Sequence, residues 1–298
     1  MKKFVRRVAV FSFVVLVLLV SAEWYVEHLP NPSRDKHEWM SLHADEVETL
    51  LLGNSQVYYG LCPDSMGRHV FSLAQVSQTY RYDAYLLQHY DMPRLKNVIL
   101  NFSYFSLWED FEQQEESEFY AARYRIYMDC DLHPRCSKYG FEFCFLPSFR
   151  EKLTALWKPG NMSWAERGNG TEYTFDNRQE DWDNGEVRAR ANTYPDYAFL
   201  VPQNIDYLQQ MADFCRERDV RFVLLTPPTS ASFAACQDAA QTSRNRKELH
   251  RFLNSNPEVV YVDLQRDSRF TERDFFDSDH LNTDGAAKMS HIMRSYLQ

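Results

Sequence analysis

The sequence predicts an α/β fold: a three-layer sandwich about a parallel sheet, with a long inserted subdomain and an N-terminal transmembrane helix. Three observations predict it. Short apolar runs that end in turn residues alternate with amphipathic stretches of helical period in both halves of the chain. About ninety residues in the middle, roughly 109–197, break that alternation. The chain also opens on a basic cluster followed by an unbroken apolar run.

The opening segment comes first. Lys2, Lys3, Arg6 and Arg7 precede an uncharged stretch from Val8 to Ala22, the pattern of a segment that enters a membrane. Val20-Ser21-Ala22 is small enough for a signal peptidase, yet Trp24, Tyr25 and Val26 extend the apolar run toward the ~20 residues that a spanning helix needs. Trp24 and Tyr25 suit an interfacial aromatic belt, which favours an uncleaved anchor over residues 1–27. Basic residues ahead of the span leave everything after it on the extracytoplasmic side, as a single-pass protein. Residues 28–47, polar and with two prolines, read as a linker, and the globular domain spans 48–298.

Charge and cysteines bear on that exported body. Without the four N-terminal basic residues it holds 29 Lys and Arg against 42 Asp and Glu, near −13. Nucleic acid is excluded as a partner, since phosphates demand a basic face. The 44% hydrophobic content is that of a globular chain, so disorder is excluded as well. Six cysteines, at 62, 130, 136, 144, 215 and 236, suggest disulfides in an exported protein, although six allow 15 pairings. Cys130 to Cys136 reads as a short disulfide loop rather than a zinc site, and the alternative for the set is buried thiols.

The elements follow in order. Glu48 to Ser55 (ETLLLGNS) is a buried strand ending in a turn. The stretch VSQTYRYDAYLLQHYDM puts Tyr82, Tyr85, Leu86 and Tyr90 on one helical face, with Ser77 or Thr79 as cap. LKNVILNFSYFSLW is a second strand, centred on Val98, Ile99 and Leu100. Strand, helix, strand in that span is a βαβ unit and implies parallel pairing. The acidic, aromatic insertion is too long for a plain loop; its rings are ordinary core or a platform on which sugars stack. Alternation then resumes with the helix PQNIDYLQQMADFCRERDV, the strand RFVLLTPPTS, the helix SRNRKELHRFLNSNP, the strand EVVYVDL and a closing helix with Thr283 or Asp284 at its start.

Candidate chemistry gathers at the carboxyl ends of the strands, as in open parallel sheets generally. Ser55 sits at such an end, and a serine hydroxyl needs a base and a third group to orient that base. Among nine histidines, His280 has the required setting: Asp277 lies three residues before it, after the last strand and before the final helix. That spacing lets the acid fix the imidazole tautomer while Nε2 faces Ser55. Asp279 is a second candidate orienter.

Gly53-Asn54-Ser55 near the start, together with Asp277-Ser278-Asp279-His280-Leu281-Asn282 near the end, resembles the first and last blocks of the SGNH/GDSL esterase superfamily. Asn54 stands where the first block usually has Asp. The likeness is greatest to a membrane-anchored branch in bacterial envelopes, related to proteins that modify alginate, teichoic acid and other surface polymers. It covers roughly 48–108 and 198–298. The resemblance implies a flavodoxin-like fold, with Ser55 as nucleophile, His280 as base and Asp277 as its orienter. It implies ester hydrolysis or acyl transfer through an acyl-enzyme, with no metal and no organic cofactor. Family members also draw oxyanion donors from a glycine in a second block and an asparagine in a Gly-x-Asn-Asp third block. Here those blocks fall on FSLAQVSQ and NFSYFSLW, which have neither. The Ser55 N–H remains, and the Ala74 N–H and the Gln75 amide stand in for the missing donors.

The expected function is therefore a serine esterase or O-acyltransferase acting on acyl esters, acetyl foremost, of envelope polysaccharide. Its partners are the glycan or an acylated small molecule, the membrane, and a membrane acyltransferase that hands over acyl groups. The competing expectation is a catalytically weak scaffold of the same fold that binds glycan or that acyltransferase.

Overall fold

The computed structural model describes residues 1–28, 31–111, 118–130, 132, 167–170, 172–178 and 180–298. Five parallel strands form one sheet: β1 (Thr49–Leu52), β2 (Val70–Ser72), β3 (Asn97–Asn101), β4 (Arg221–Thr226) and β5 (Val260–Asp263), in the spatial order β2-β1-β3-β4-β5. Every pairing is parallel, as the alternating sequence requires. The order reverses direction at β1, which places the topological switch point between β1 and β3.

Strand residues alternate between two cores. Leu50, Leu52, Val98, Leu100, Phe222 and Leu224 face one side. There they meet the helices α2 (Pro32–His43), α5 (Tyr80–His89), α6 (Glu118–Met128), α8 (Leu200–Glu217) and α10 (Ala239–Ser255). Leu51, Ile99, Val223 and Leu225 face the other side, with α3 (Ser55–Tyr58), α4 (Pro63–Met66) and α11 (Thr283–Arg294). Two-sided burial explains why these strands read as continuous apolar runs rather than alternating ones. Two short helices complete the set: α7 (Gly185–Ala191) and α9 (Ala231–Cys236).

The sequence led to four strands, and the structure adds β2. At three residues on the sheet edge, Val70–Ser72 is too short to show a period. The reading of 28–47 as a linker is also corrected. Within it, Pro32–His43 is a helix whose N-cap Asn31 accepts from Ser33 N and Arg34 N. Its Met40 is buried in the core, and Trp39 stacks on Phe71 with centroids 4.1 Å apart. Polar spelling concealed a packed face.

Ahead of it, α1 (Lys2–Glu27) has a window of mean hydropathy 2.2 with none of that window buried. Among the described residues it is the one helix long and apolar enough to cross a membrane, and a signal sequence would pass the same test.

The disulfide expectation does not survive for Cys62, Cys215 and Cys236, which are free thiols. Cys215 lies on the core face of α8, where burial pushes its thiol up to about 12, so it serves as a small apolar residue. Cys136 and Cys144, and with them the loop expected from Cys130, lie outside the described residues. So does about half of the expected insertion, although α6 and α7 fall within its bounds.

Candidate active site

Leu50, Leu51 and Leu52 are fully buried, and the chain leaves β1 through Gly53 at φ +122°. A Cβ at Gly53 would stand 1.9 Å from Asn101 Oδ1, so only glycine permits the turn. Asn54 then caps α3, its Oδ1 accepting from Gln56 N at 3.1 Å. The same oxygen accepts from Asn101 Nδ2 at 2.9 Å, while Asn54 Nδ2 donates to Ser103 Oγ at 3.1 Å. An aspartate could accept but could not supply that donated hydrogen, which gives the Asn54 departure a physical reason. Ser55 follows as the first residue of the helix, 8% exposed.

His280 arrives from the opposite end of the chain. Phe275 and Leu281 pair across an antiparallel bridge, and Phe276 N donates to His280 O at 2.9 Å, closing a tight loop. Within it Asp277 Oδ1 accepts from the backbone N–H of Asp279 (3.0 Å) and of His280 (2.8 Å). The His280 ring lies with Nδ1 2.9 Å from each Asp277 oxygen and Nε2 2.7 Å from Ser55 Oγ. The three residues singled out from sequence are thus in one hydrogen-bonded line.

Asp279 has a different part. Its buried Oδ1 accepts from Arg188 Nε at 2.7 Å and lies 3.5 Å from His280 Nδ1. Burial pushes the Asp279 carboxyl up, against the pull of His280 and Arg188. Burial also opposes the charge on His280, but Asp279 and Asp277 outweigh it and raise the imidazole above its usual value. Asp277 would be raised by burial; the charge and hydrogen bond of His280 outweigh that and hold its carboxyl well below the ordinary range.

Sequence reasoning missed several contributors. Arg188 comes from α7, within the expected insertion, where nothing in the local sequence marks it. Tyr173 stacks between Tyr59 and Phe276, with centroids 3.8 Å apart on both sides. Tyr59 and Tyr173 turn their edges to the His280 ring at 5.9 and 5.8 Å, forming an aromatic wall beside the base.

The expected oxyanion role of Gln75 is not what its bonds support. Its N–H donates to Gly53 O at 3.1 Å, and its Nε2 donates to Ser33 Oγ at 3.3 Å. Among the described residues, the N–H groups of Ser55 and Ala74 have no acceptor. Asp277, Asp279 and His280 offer ligand atoms within 4.8 Å of one another; Asp277 and His280 spend theirs on each other and Asp279 Oδ1 on Arg188, while Asp279 Oδ2 has no partner among the described residues. No metal role is assigned to them.

Fold and site together define an α/β protein with a Ser-His-Asp line at the carboxyl edge of a parallel sheet. A family model matches residues 175–298, short of half the chain. No curated protein matches the sequence. Among solved structures, a protein provisionally described as a platelet activating factor from Streptococcus pneumonia aligns with TM-score 0.45 at 9% identity, covering 97% of this chain and 98% of that one. A provisionally assigned acylhydrolase from Bacteroides fragilis aligns with TM-score 0.42 at 10% identity, over 87% and 93% of the two chains. A GDSL-like lipase from Bacteroides thetaiotaomicron gives 0.42 at 11% identity, over 89% and 98%.

Proposed function

We propose that this chain is a serine ester hydrolase or O-acyltransferase of the SGNH/GDSL type, working through an acyl-enzyme on Ser55. The observation that carries the reading is the line Ser55 Oγ, His280 Nε2, His280 Nδ1, Asp277, with every contact at 2.7–2.9 Å.

The chemistry follows from that line. Ser55 Oγ attacks the ester carbonyl as its proton passes to His280 Nε2, and the Asp277 carboxylate stabilises the imidazolium. The negative oxygen of the tetrahedral intermediate is met by the Ser55 N–H, which has no acceptor among the described residues. His280 then returns the proton to the departing alkoxide, which leaves as an alcohol. Water, or a second hydroxyl deprotonated by the same imidazole, takes the acyl group from Ser55. Each step moves one proton between Ser55, His280 and the exchanging hydroxyl, so no further reagent is needed.

The finer assignment is acetyl esters of a cell-envelope polysaccharide, met at an extracytoplasmic station beside the membrane. Its support is the apolar α1, the anionic body and the aromatic cluster of Tyr59, Tyr173 and Phe276 beside His280. A membrane acyltransferase that supplies the acyl group is the partner this placement favours.

Labelling with a fluorophosphonate probe tests the reading. The protein labels on Ser55, and Ser55→Ala and His280→Ala do not; a folded wild type that takes no label returns the chain to the binding-scaffold reading.

A further inference from the structure

The span α1 joins the body at the edge of the sheet that carries Ser55. Along α2, Ser33 Oγ accepts from Gln75 Nε2, Lys36 Nζ donates to Ala74 O and Trp39 stacks on Phe71. α2 therefore runs antiparallel to β2, with its first turn at the carboxyl edge and its last at the amino edge. Gln75 N–H donates in turn to Gly53 O, two residues before Ser55. α1 ends against that first turn: Arg34 Nη1 donates to Glu27 O at 2.7 Å, and Val26 is buried. Trp24 and Tyr25 just before it are exposed, at the place where aromatic side chains sit at headgroup level. Glu27 lies within one further turn of them, about 5 Å along the axis.

Past α1, four large apolar side chains are exposed among the described residues: Leu42, Phe175, Val187 and Phe199. Three of them belong to the carboxyl edge. Phe175, 44% exposed, follows Tyr173 by two residues and packs under Arg178, which donates to Glu272 O ahead of Asp277. Val187, 60% exposed, precedes Arg188, the partner of Asp279. Phe199, 60% exposed, is the N-cap of α8, whose Asn204 Nδ2 donates to Leu107 O just past β3. Leu42, on the last turn of α2, sits at the amino edge instead. Apolar side chains scattered singly over a surface need no explanation, but these three share one edge with the nucleophile and with the arriving span.

We infer that the carboxyl edge of the sheet faces the bilayer, and that the ester opened by Ser55 is borne by an amphiphile of that bilayer, with Phe175, Val187 and Phe199 resting in the boundary between headgroups and acyl chains. The inference rests on the acyl-enzyme reading above and on α1 as a membrane span. Apolar side chains gain by leaving water for that boundary, and the ester of a lipid-anchored molecule lies at the same depth. A glycan ester fits this edge when the glycan hangs on a lipid. An ester on a polymer free in solution gains nothing from it.

The test uses two fluorophosphonates on the full chain reconstituted in phosphatidylcholine vesicles, one with a hexadecyl tail that enters the bilayer and one with a polyethylene glycol tail that stays in water. The hexadecyl probe is expected to label Ser55 at least about tenfold faster. The triple variant Phe175→Ser, Val187→Ser, Phe199→Ser keeps the rate of the water-borne probe within about twofold and loses about tenfold with the hexadecyl probe. Equal effects on both probes, or no effect on either, overturn the inference. Should the triple variant not fold, a Gly-Ser linker of about 30 residues inserted after His28 decides, since it lets the body stand off the surface by about 30 Å. A hexadecyl rate about fivefold or more below wild type then upholds the inference, and an unchanged rate overturns it. A wild type that takes neither probe strikes the acyl-enzyme reading and this one with it. A wild type that takes the water-borne probe at least as fast as the hexadecyl one, or that does not float with the vesicles, strikes this inference alone.

Discussion

The N–H of Gly53 donates to Oδ1 of Asp83 across 2.8 Å, and Asp83 has no exposed surface. Gln78 Nε2 donates to the same oxygen, and Tyr124 OH donates to Gln78 Oε1 at 2.6 Å. The turn that presents Ser55 therefore hangs on a carboxylate of α5, which is tied in turn to α6. Asp83 Oδ2 has no partner among the described residues, and burial pushes the carboxyl up to about 7.

That shift has a stability consequence. An unfolded aspartate titrates near 3.8, so the folded state holds the proton more tightly. The contribution is fully present below about pH 4 and is lost as pH rises through about 7. Asp83→Asn, neutral at every pH, is expected to flatten that window: chemical denaturation from pH 4 to 8 falls less steeply for the variant than for wild type. Two parallel curves would contradict the assignment.

Gly53→Ala meets both a positive φ and the Asn101 side chain. The expected loss is about 2–4 kcal/mol, from strain and displacement of a buried amide. Urea unfolding measures it, and acylation is expected to slow with it because Asn101 also holds the Asn54 N–H at 3.2 Å. A loss under about 0.5 kcal/mol would show that the turn yields.

The raised His280 sets the acid limb of activity. Protonated imidazole accepts no proton, so kcat/KM rises with pH to a plateau, with its midpoint above 6.5. Asp277→Asn removes a charge that favours imidazolium, which moves the midpoint down and lowers the plateau about 10²–10⁴-fold. An unchanged midpoint in that variant would separate Asp277 from the base.

Arg188→Gln removes the guanidinium from the buried Asp279 carboxylate and leaves it only the His280 ring at 3.5 Å. Arg188 is partly exposed, so the expected loss is about 1–3 kcal/mol at neutral pH, below that for a fully buried pair. Adding Asp279→Asn removes the stranded charge and is expected to recover most of it in a double-mutant cycle. Additive losses would place the two residues in separate roles.

Legibility in the sequence followed how locally each feature is encoded. β1, β3 and β4 were readable because strands buried on both faces spell out apolar runs. Ser55, Asp277 and His280 were readable because turn chemistry and a three-residue spacing mark them. Lys36 was invisible: a lysine in a polar stretch reads as solvated surface, and only the tertiary fold lays α2 over the Ala74 loop. β2 escaped for want of length, and Arg188 and Tyr173 because their partners lie some hundred residues away in the acid loop. Gln75 has suitable chemistry at the right strand end, but sequence does not show which way a side chain turns, and its Nε2 donates to Ser33 Oγ.

A covalent acyl-enzyme shows in the intact mass of the protein quenched during turnover of p-nitrophenyl acetate. The expected result is a species heavier by one acetyl group, located by proteolysis to the peptide carrying Ser55 and missing from Ser55→Ala. Turnover with no adduct in any quench, or an adduct on another residue, would contradict it.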